Sequence, residues 1–133
     1  MQLETENFVV RPLTSQDLGL EYFRWLQDPE VTRHLFLSGK NIDEEEARAH
    51  VDSYDGENDF FFGIINRDGK LIGTHSLTSC AEHKRCAMGV MIGEKTYWGK
   101  QVVVEVRSVI LDFVFYELNC EKAEAGCYKA NLP

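Results

Sequence analysis

The sequence predicts a mixed α+β domain, and three observations carry that prediction. Residues 60–65 and 71–77 are strand-length apolar runs separated by Asn66-Arg67-Asp68-Gly69-Lys70, whose Asp-Gly pair is a hairpin signal. Residues 101–117 put Val102, Val106, Val109, Ile110, Phe113 and Val114 on one helical stripe. Strand-like and helix-like stretches follow one another in the order βαα-βββ-αβ.

Each element has its own warrant. Phe8, Val10 and Pro12 alternate with Val9 and Arg11, the period of a strand, which Pro12 ends because it donates nothing to a ladder. Thr14-Ser15-Gln16-Asp17 offers a hydroxyl cap and a first-turn acid, and Leu18, Tyr22, Trp25 and Leu26 then share a helical face. Asp28-Pro29 breaks that helix and can open another short turn. A second start lies at Asn41-Ile42-Asp43-Glu44-Glu45-Glu46, with Asn41 or Asp43 as cap and glutamates that suit the positive end of the helix dipole; this helix runs to about Tyr54. Residues 55–58 form a loop before the hairpin, and the polar residues 81–84 lead from it to a strand over 85–92. Val102, Val103 and Val104 lower helix propensity at the start of the 101–117 segment, but its period and length still favour helix. A last strand covers 123–128.

At 133 residues and 44% apolar, the chain reads as one domain with one core. Its formal charge of −8 argues against nonspecific binding to nucleic acid or to anionic membranes. No stretch supplies the ~18 uncharged apolar residues of a membrane helix. Met1-Gln2-Leu3-Glu4 has neither the basic region nor the apolar core of a secretory signal. Cys80, Cys86, Cys120 and Cys127 form no C-x-x-C pair, and His34, His50, His75 and His83 fall at no finger spacing, so zinc is not expected. Cys120 and Cys127 sit in apolar surroundings and read as buried thiols, which fits a cytoplasmic protein.

Function is written most clearly in residues 88–105. Val90-Met91-Ile92 is a strand, a short loop with Gly93, Trp98 and Gly99 follows, and the helix begins near Gln101. Such a joint can hold a phosphate, because the first helical N–H groups lack intrahelical partners and the helix dipole favours an anion there. The placement points to a ligand with a pyrophosphate. The plainer reading is packing, with Val90, Met91 and Ile92 filling the core and Trp98 serving as an anchor.

The wording of this stretch resembles motif A of the GNAT superfamily of acyl-CoA-dependent N-acyltransferases. It is nearest the branch of ribosomal-protein alanine N-acetyltransferases and related amino-sugar enzymes. Val90-Met91-Ile92-Gly93-Glu94-Lys95-Thr96-Tyr97-Trp98-Gly99-Lys100 follows that branch's usual Ile-Met-Ile-Gly-Asp-Lys-x-Tyr-Trp-Gly-Lys almost throughout. Residues 3–13 resemble the family's first strand, Trp25-Leu26-Gln27-Asp28-Pro29-Glu30-Val31 its first helical region, and residues 122–131 its fifth strand and the turn after it. The resemblance implies a single α+β GNAT-like domain over residues 1–133, a mixed central sheet flanked by helices, and acetyl-CoA as co-substrate. It also implies that Val90, Met91 and Ile92 pair by their backbone with the pantetheine arm. A backbone N–H near the start of that strand polarises the thioester. Thr96, Tyr97, Trp98, Gly99 and Lys100, with the N–H groups of Gln101 and Val102, hold the pyrophosphate, and Asn131 looks like the family's asparagine in the turn before a fourth helix.

Acyl transfer to an amine needs an exposed donor carbonyl, a deprotonated amine, a hydrogen-bond donor for the tetrahedral oxygen and a proton for the leaving thiolate. Two positions depart from the family pattern. Gln101 stands where Gly or Ala is usual, and a small residue there permits close approach of backbone to phosphate. Ala87 stands where relatives often carry a glutamate that deprotonates the amine through water. His75 and Glu82 are the catalytic candidates that remain, with His83 beside Glu82 in the same polar loop; an isolated strand histidine is also a common structural residue. Tyr128 lies on the last strand and is not the family's tyrosine acid, which the following helix carries. In the family a last helix and two further strands follow, whereas this sequence stops at Pro133, so the expectation is a fragment of a longer chain, a C-terminally truncated fold, or a homo-oligomer that covers an open sheet edge. The expected activity is transfer of an acetyl group from acetyl-CoA to a primary amine (a protein N-terminus, an amino sugar or a small amine) without a covalent enzyme intermediate. The alternative is a non-catalytic acyl-CoA-binding or scaffold protein of the same fold.

Overall fold

The computed structural model describes residues 2–32, 43–80, 85–117 and 122–125. Among these residues the centre is a six-stranded sheet in which every strand lies beside its neighbour in sequence. Strands β1 (Leu3–Glu4), β2 (Phe8–Pro12), β3 (Asp59–Asn66), β4 (Leu71–Cys80) and β5 (Arg85–Ile92) pair antiparallel in turn, and β6 (Lys122–Ala125) pairs parallel with β5. Helices α1 (Leu20–Gln27), α2 (Pro29–Thr32) and α3 (Glu44–Asp52) precede β3, and α4 (Val102–Tyr116) makes the crossover that the parallel pair requires. The mixed sheet with flanking helices is the α+β class that the sequence implied. β1 is an addition: Leu3 pairs with Val10 and Glu4 with Val9.

Strand alternation sorts the side chains into two layers. Phe60, Phe62 and Ile64 of β3, Leu77 of β4 and Cys86 and Met88 of β5 pack against Val102, Val106, Ile110, Phe113 and Val114 of α4. Phe61 and Met91 point the other way, into a cluster with Leu13, Leu18, Tyr22, Trp25, Leu26, Ala47 and Val51. Each fully buried Val, Leu or Ile side chain contributes about 1.5–3 kcal/mol. Ile64 pairs with Gly73 but Ile65 pairs with Leu71, so Ile72 is an extra residue in β4. That bulge shifts the alternation by one and brings both Ile72 and Leu77 into the α4 layer.

The hairpin between β3 and β4 closes as its residues demand. The Asn66 side chain accepts the N–H groups of Asp68 at 3.0 Å and Lys70 at 2.9 Å, and Gly69 takes φ +86°. The first helix begins later than Thr14. Asp17 turns its carboxylate back onto the Thr14 N–H at 2.7 Å, a single 3-10 turn spans Ser15–Asp17, and the extended backbone of Leu18 separates it from α1. α3 is capped by Asp43, which accepts the Glu46 N–H at 2.8 Å, and it ends at Asp52 rather than near Tyr54. The final strand is described from Lys122 to Ala125; the rest of the expected stretch, 126–128, lies outside the described residues. Among the described residues no helix is long and apolar enough to cross a membrane, and no cluster of His, Cys, Asp and Glu could hold a metal ion.

Candidate active site

The joint between β5 and α4 is built on contacts that the side chains make behind it. Gly93 leaves β5 beneath the Trp25 indole, where an added Cβ would stand 1.9 Å from the ring, so only glycine lets α1 approach this backbone. The N–H groups of Gly93 and Glu94 both donate to the Ile72 carbonyl, at 3.0 and 3.2 Å, tying the loop to the bulge. A 3-10 turn over Lys95–Tyr97 follows. Tyr97 packs edge-on to Phe8 at 5.8 Å and accepts a hydrogen bond from Asn66 at 3.1 Å. The Trp98 indole N–H donates to the Ile92 carbonyl at 2.8 Å, pinning the loop back onto the strand. Lys95 reaches Asp28 at 3.0 Å and Glu30 at 3.4 Å. The hydrogen bond from Lys95 holds the Asp28 carboxyl below the usual range, and Asp28 in turn raises the lysine.

Beyond Trp98 the backbone opens. Gly99 takes φ +76° with nothing within 4 Å of a would-be Cβ, and Lys100 is exposed. Gln101, the α4 N-cap, is also left-handed at φ +59°, and it is exposed. Glycine holds that conformation freely, whereas a side chain costs about 1–2 kcal/mol. The preference for a small residue here thus has a conformational cause as well as a spatial one. The Gln101 side chain makes no cap hydrogen bond, and the first N–H of α4 with an intrahelical partner is that of Glu105, which donates to the Gln101 carbonyl at 3.1 Å. Among the described residues the amides of Val102, Val103 and Val104 therefore end the helix without backbone carbonyls in front of them. Glu105 itself anchors the helix end, accepting the Asn7 N–H at 2.8 Å, the Asn7 side-chain amide at 2.9 Å and the Thr5 hydroxyl. Burial pushes the Glu105 carboxyl up, but those hydrogen bonds outweigh it and hold the group below its ordinary value.

The residues singled out in sequence divide accordingly. Val90 and Ile92 are half-buried against the α4 layer, Met91 is buried in the opposite cluster, and Val102 is buried at the start of α4, so what these residues can offer a ligand is backbone. Thr96, Gly99, Lys100 and Gln101 are exposed on the loop, with Trp98 41% exposed. The described pairing between β5 and β6 runs from Arg85 to Met88. The remainder of β5 leads straight to the loop.

His75 stands apart from this surface. It is fully buried in the α4 layer, its Nδ1 3.1 Å from the Ser76 carbonyl and its Nε2 accepting from Arg107 at 3.4 Å. Those partners fix a neutral ring with its proton on Nδ1. Burial, reinforced by the Arg107 charge, lowers its pKa to about 3. An acceptor amine has no route to it among the described residues. Ala87 is exposed on the opposite face, and Cys86 is buried in the core. Glu82, His83, Tyr128 and Asn131 lie outside the described residues, as do Cys120 and Cys127.

The chain is similar to acetyltransferases in sequence and in fold. The acetyltransferase (GNAT) domain model matches residues 7–133. The uncharacterized N-acetyltransferase p20 of Bacillus licheniformis is 27% identical over 137 residues, covering 98% of this chain and 75% of its own. Among solved structures, an acetyltransferase (GNAT family) from Bacillus anthracis superposes with a TM-score of 0.81 at 19% identity, over 98% of this chain and 76% of that one. The ribosomal-protein-S5-alanine acetyltransferase from Vibrio fischeri does so with a TM-score of 0.78 at 18% identity, with the same coverages. At those identities the two structures establish the fold alone. The family match, which takes in the sheet, the loop and α4 together, establishes more: this protein belongs to the GNAT family and is an acetyltransferase.

Proposed function

We propose that the protein carries an acetyl group from acetyl-CoA to a primary amine by direct attack. The observation that carries this reading is the start of α4. An open left-handed turn at Gly99, the amides of Val102–Val104, which have no backbone partner among the described residues, and the exposed Lys100 together suit a pyrophosphate. The β5 backbone from Gly89 to Ile92 lies in line with that anion site and suits a pantetheine arm, with a backbone N–H near Val90 to stabilise the tetrahedral oxygen. The amine nitrogen bonds to the thioester carbon, the carbon–sulfur bond breaks, and the thiolate leaves. A thiol pKa of about 8.5 makes an acid helpful but not indispensable.

The loop wording favours the ribosomal-protein alanine branch, hence a protein N-terminus as acceptor, with amino sugars and small amines as the alternatives to test. Of the sequence-derived bases, Glu82 stays in this reading, and the enclosed His75 does not. Residues 1–133 act as one domain in the cytoplasm, and the chain self-associates; native mass measurement tests that assembly. For the activity, calorimetry with coenzyme A should show binding that weakens when Gly99 is replaced by a bulky residue. Acetyl-CoA plus a panel of primary amines should release thiol. Binding without thiol release from any amine would leave a coenzyme A carrier instead.

A further inference from the structure

The sheet face opposite α4 carries a polar chain that no part of the core explains. Thr74 pairs with Met91, Ser76 with Gly89 and Thr78 with Ala87, and Met91 places this set on the α1–α3 side. Thr78 and Ala87 are exposed and Ser76 and Gly89 half-buried, so among the described residues solvent reaches β5 from this side, beside Val90. The Ser76 hydroxyl donates to the Gly89 carbonyl at 3.4 Å and bears on the nearby Tyr54 phenol, drawing its pKa down. The Tyr54 oxygen in turn lies 3.5 Å from His50 Nε2. Gly89 keeps the chain accessible, because a Cβ there would stand 2.9 Å from the Ser76 oxygen. Phe61 fixes both rings, with its centroid 5.8 Å from His50 and 5.3 Å from Tyr54, and His50 keeps an exposed edge.

We propose that Tyr54 and His50 are the proton path for the acceptor amine. This rests on the acetyl-transfer reading above. An ammonium proton passes to the Tyr54 oxygen while the phenol's own proton moves to His50 Nε2. The products are a neutral amine, an unchanged phenol and an imidazolium that returns its proton to water. Ser76 is a positioning residue that orients the phenol. Burial lowers the His50 pKa, so the ring is a neutral acceptor at pH 7. Burial raises Tyr54, Ser76 offsets part of that, and the Asp59 charge adds to it, so the net shift is upward and the phenol stays protonated between transfers.

The test compares His50→Gln, Tyr54→Phe and Glu82→Gln in the full chain, with coenzyme A affinity measured on each. Loss of the path should lower kcat by about 100-fold or more in the first two variants, leave coenzyme A binding unchanged, and abolish the acidic limb of the pH–kcat profile in His50→Gln. An unaltered kcat and pH profile in either variant, or a loss confined to Glu82→Gln, would overturn the path while acetyl transfer by the wild type still stood. Coenzyme A affinity lost together with activity would mark a structural role and overturn it too. A wild type that releases thiol with no amine would remove the acetyl-transfer reading and the path together.

Discussion

On the α4 side of the sheet, Phe62, Ile64, Ile72 and Leu77 meet Val106, Ile110 and Val114 in a layer without solvent, and all of these side chains are fully buried. On the α1–α3 side the sheet presents Ser76, Thr78 and Gly89 beside aromatic rings, and part of that surface is open among the described residues. Each face holds a histidine. His75, in the dry layer, has both nitrogens engaged by the protein and is held neutral far below its ordinary pKa. His50, on the wet side, is lowered by burial alone and keeps one edge exposed. A buried polar group must satisfy itself within the fold, which leaves it nothing to offer a substrate. One residue type is therefore structural on one face and available for proton transfer on the other.

The contrast can be pressed hardest in the dry layer. Ile110→Ala removes a fully buried side chain from the centre of the α4 contact and should cost about 2–5 kcal/mol, read as a lowered urea midpoint with an unchanged slope. A loss below about 1 kcal/mol would show that α4 collapses onto the sheet and that the layer is softer than its burial implies.

Gly93→Ala tests where α1 presses on the loop. Its Cβ would meet the Trp25 ring at 1.9 Å, so overpacking should cost about 1–3 kcal/mol and displace the loop. Thermal unfolding reads the first effect and weakened coenzyme A binding the second. Unchanged values for both would show that α1 can retreat freely.

Acid should separate the two histidines. The folded chain keeps His75 neutral to about pH 3 while the unfolded chain protonates it near 6.5. Unfolding therefore takes up a proton, and the contribution of His75 is whole above pH 6.5 and shrinks as pH falls toward 3. Denaturant midpoints at pH 7 and pH 5 isolate this window from the carboxylates, whose lowered values act further down. His75→Gln should flatten the decline between those pH values more than His50→Gln does. Equal slopes would mean that the two sites are equally wet.

The smallest effect is expected at the helix start. Gln101→Gly relieves a left-handed side-chain residue worth about 1–2 kcal/mol, partly offset by the greater freedom of glycine when unfolded, so a net gain of at most about 1 kcal/mol in melting stability is expected. Coenzyme A should bind this variant at least as well as the wild type.

Local chemistry made much of this legible. The Asn66–Lys70 turn, the Asp43 cap and the α4 stripe each rest on residues within a few positions of one another, and the structure has all three. The β5–loop–α4 joint was legible for the same reason. What failed to show was non-local. The late start of α1 follows from Asp17 folding back onto Thr14, and β1 exists because Val10 lies opposite Leu3. The Ser76–Tyr54–His50 chain joins residues from α3, the segment after it and β4. Of these links, only the four-residue step from His50 to Tyr54 leaves a mark in the sequence.

By itself the sequence determined the class of fold and most of the order of its elements, because periodicity, caps and turn residues act over short distances. Only the tertiary structure decided that His75 is sealed beneath α4, that Ile72 is the bulge and that Gln101 is left-handed. Each of these depends on which layer covers a strand and on how the chain must bend to join α4 to the sheet. Those are properties of distant contacts, which no local pattern encodes.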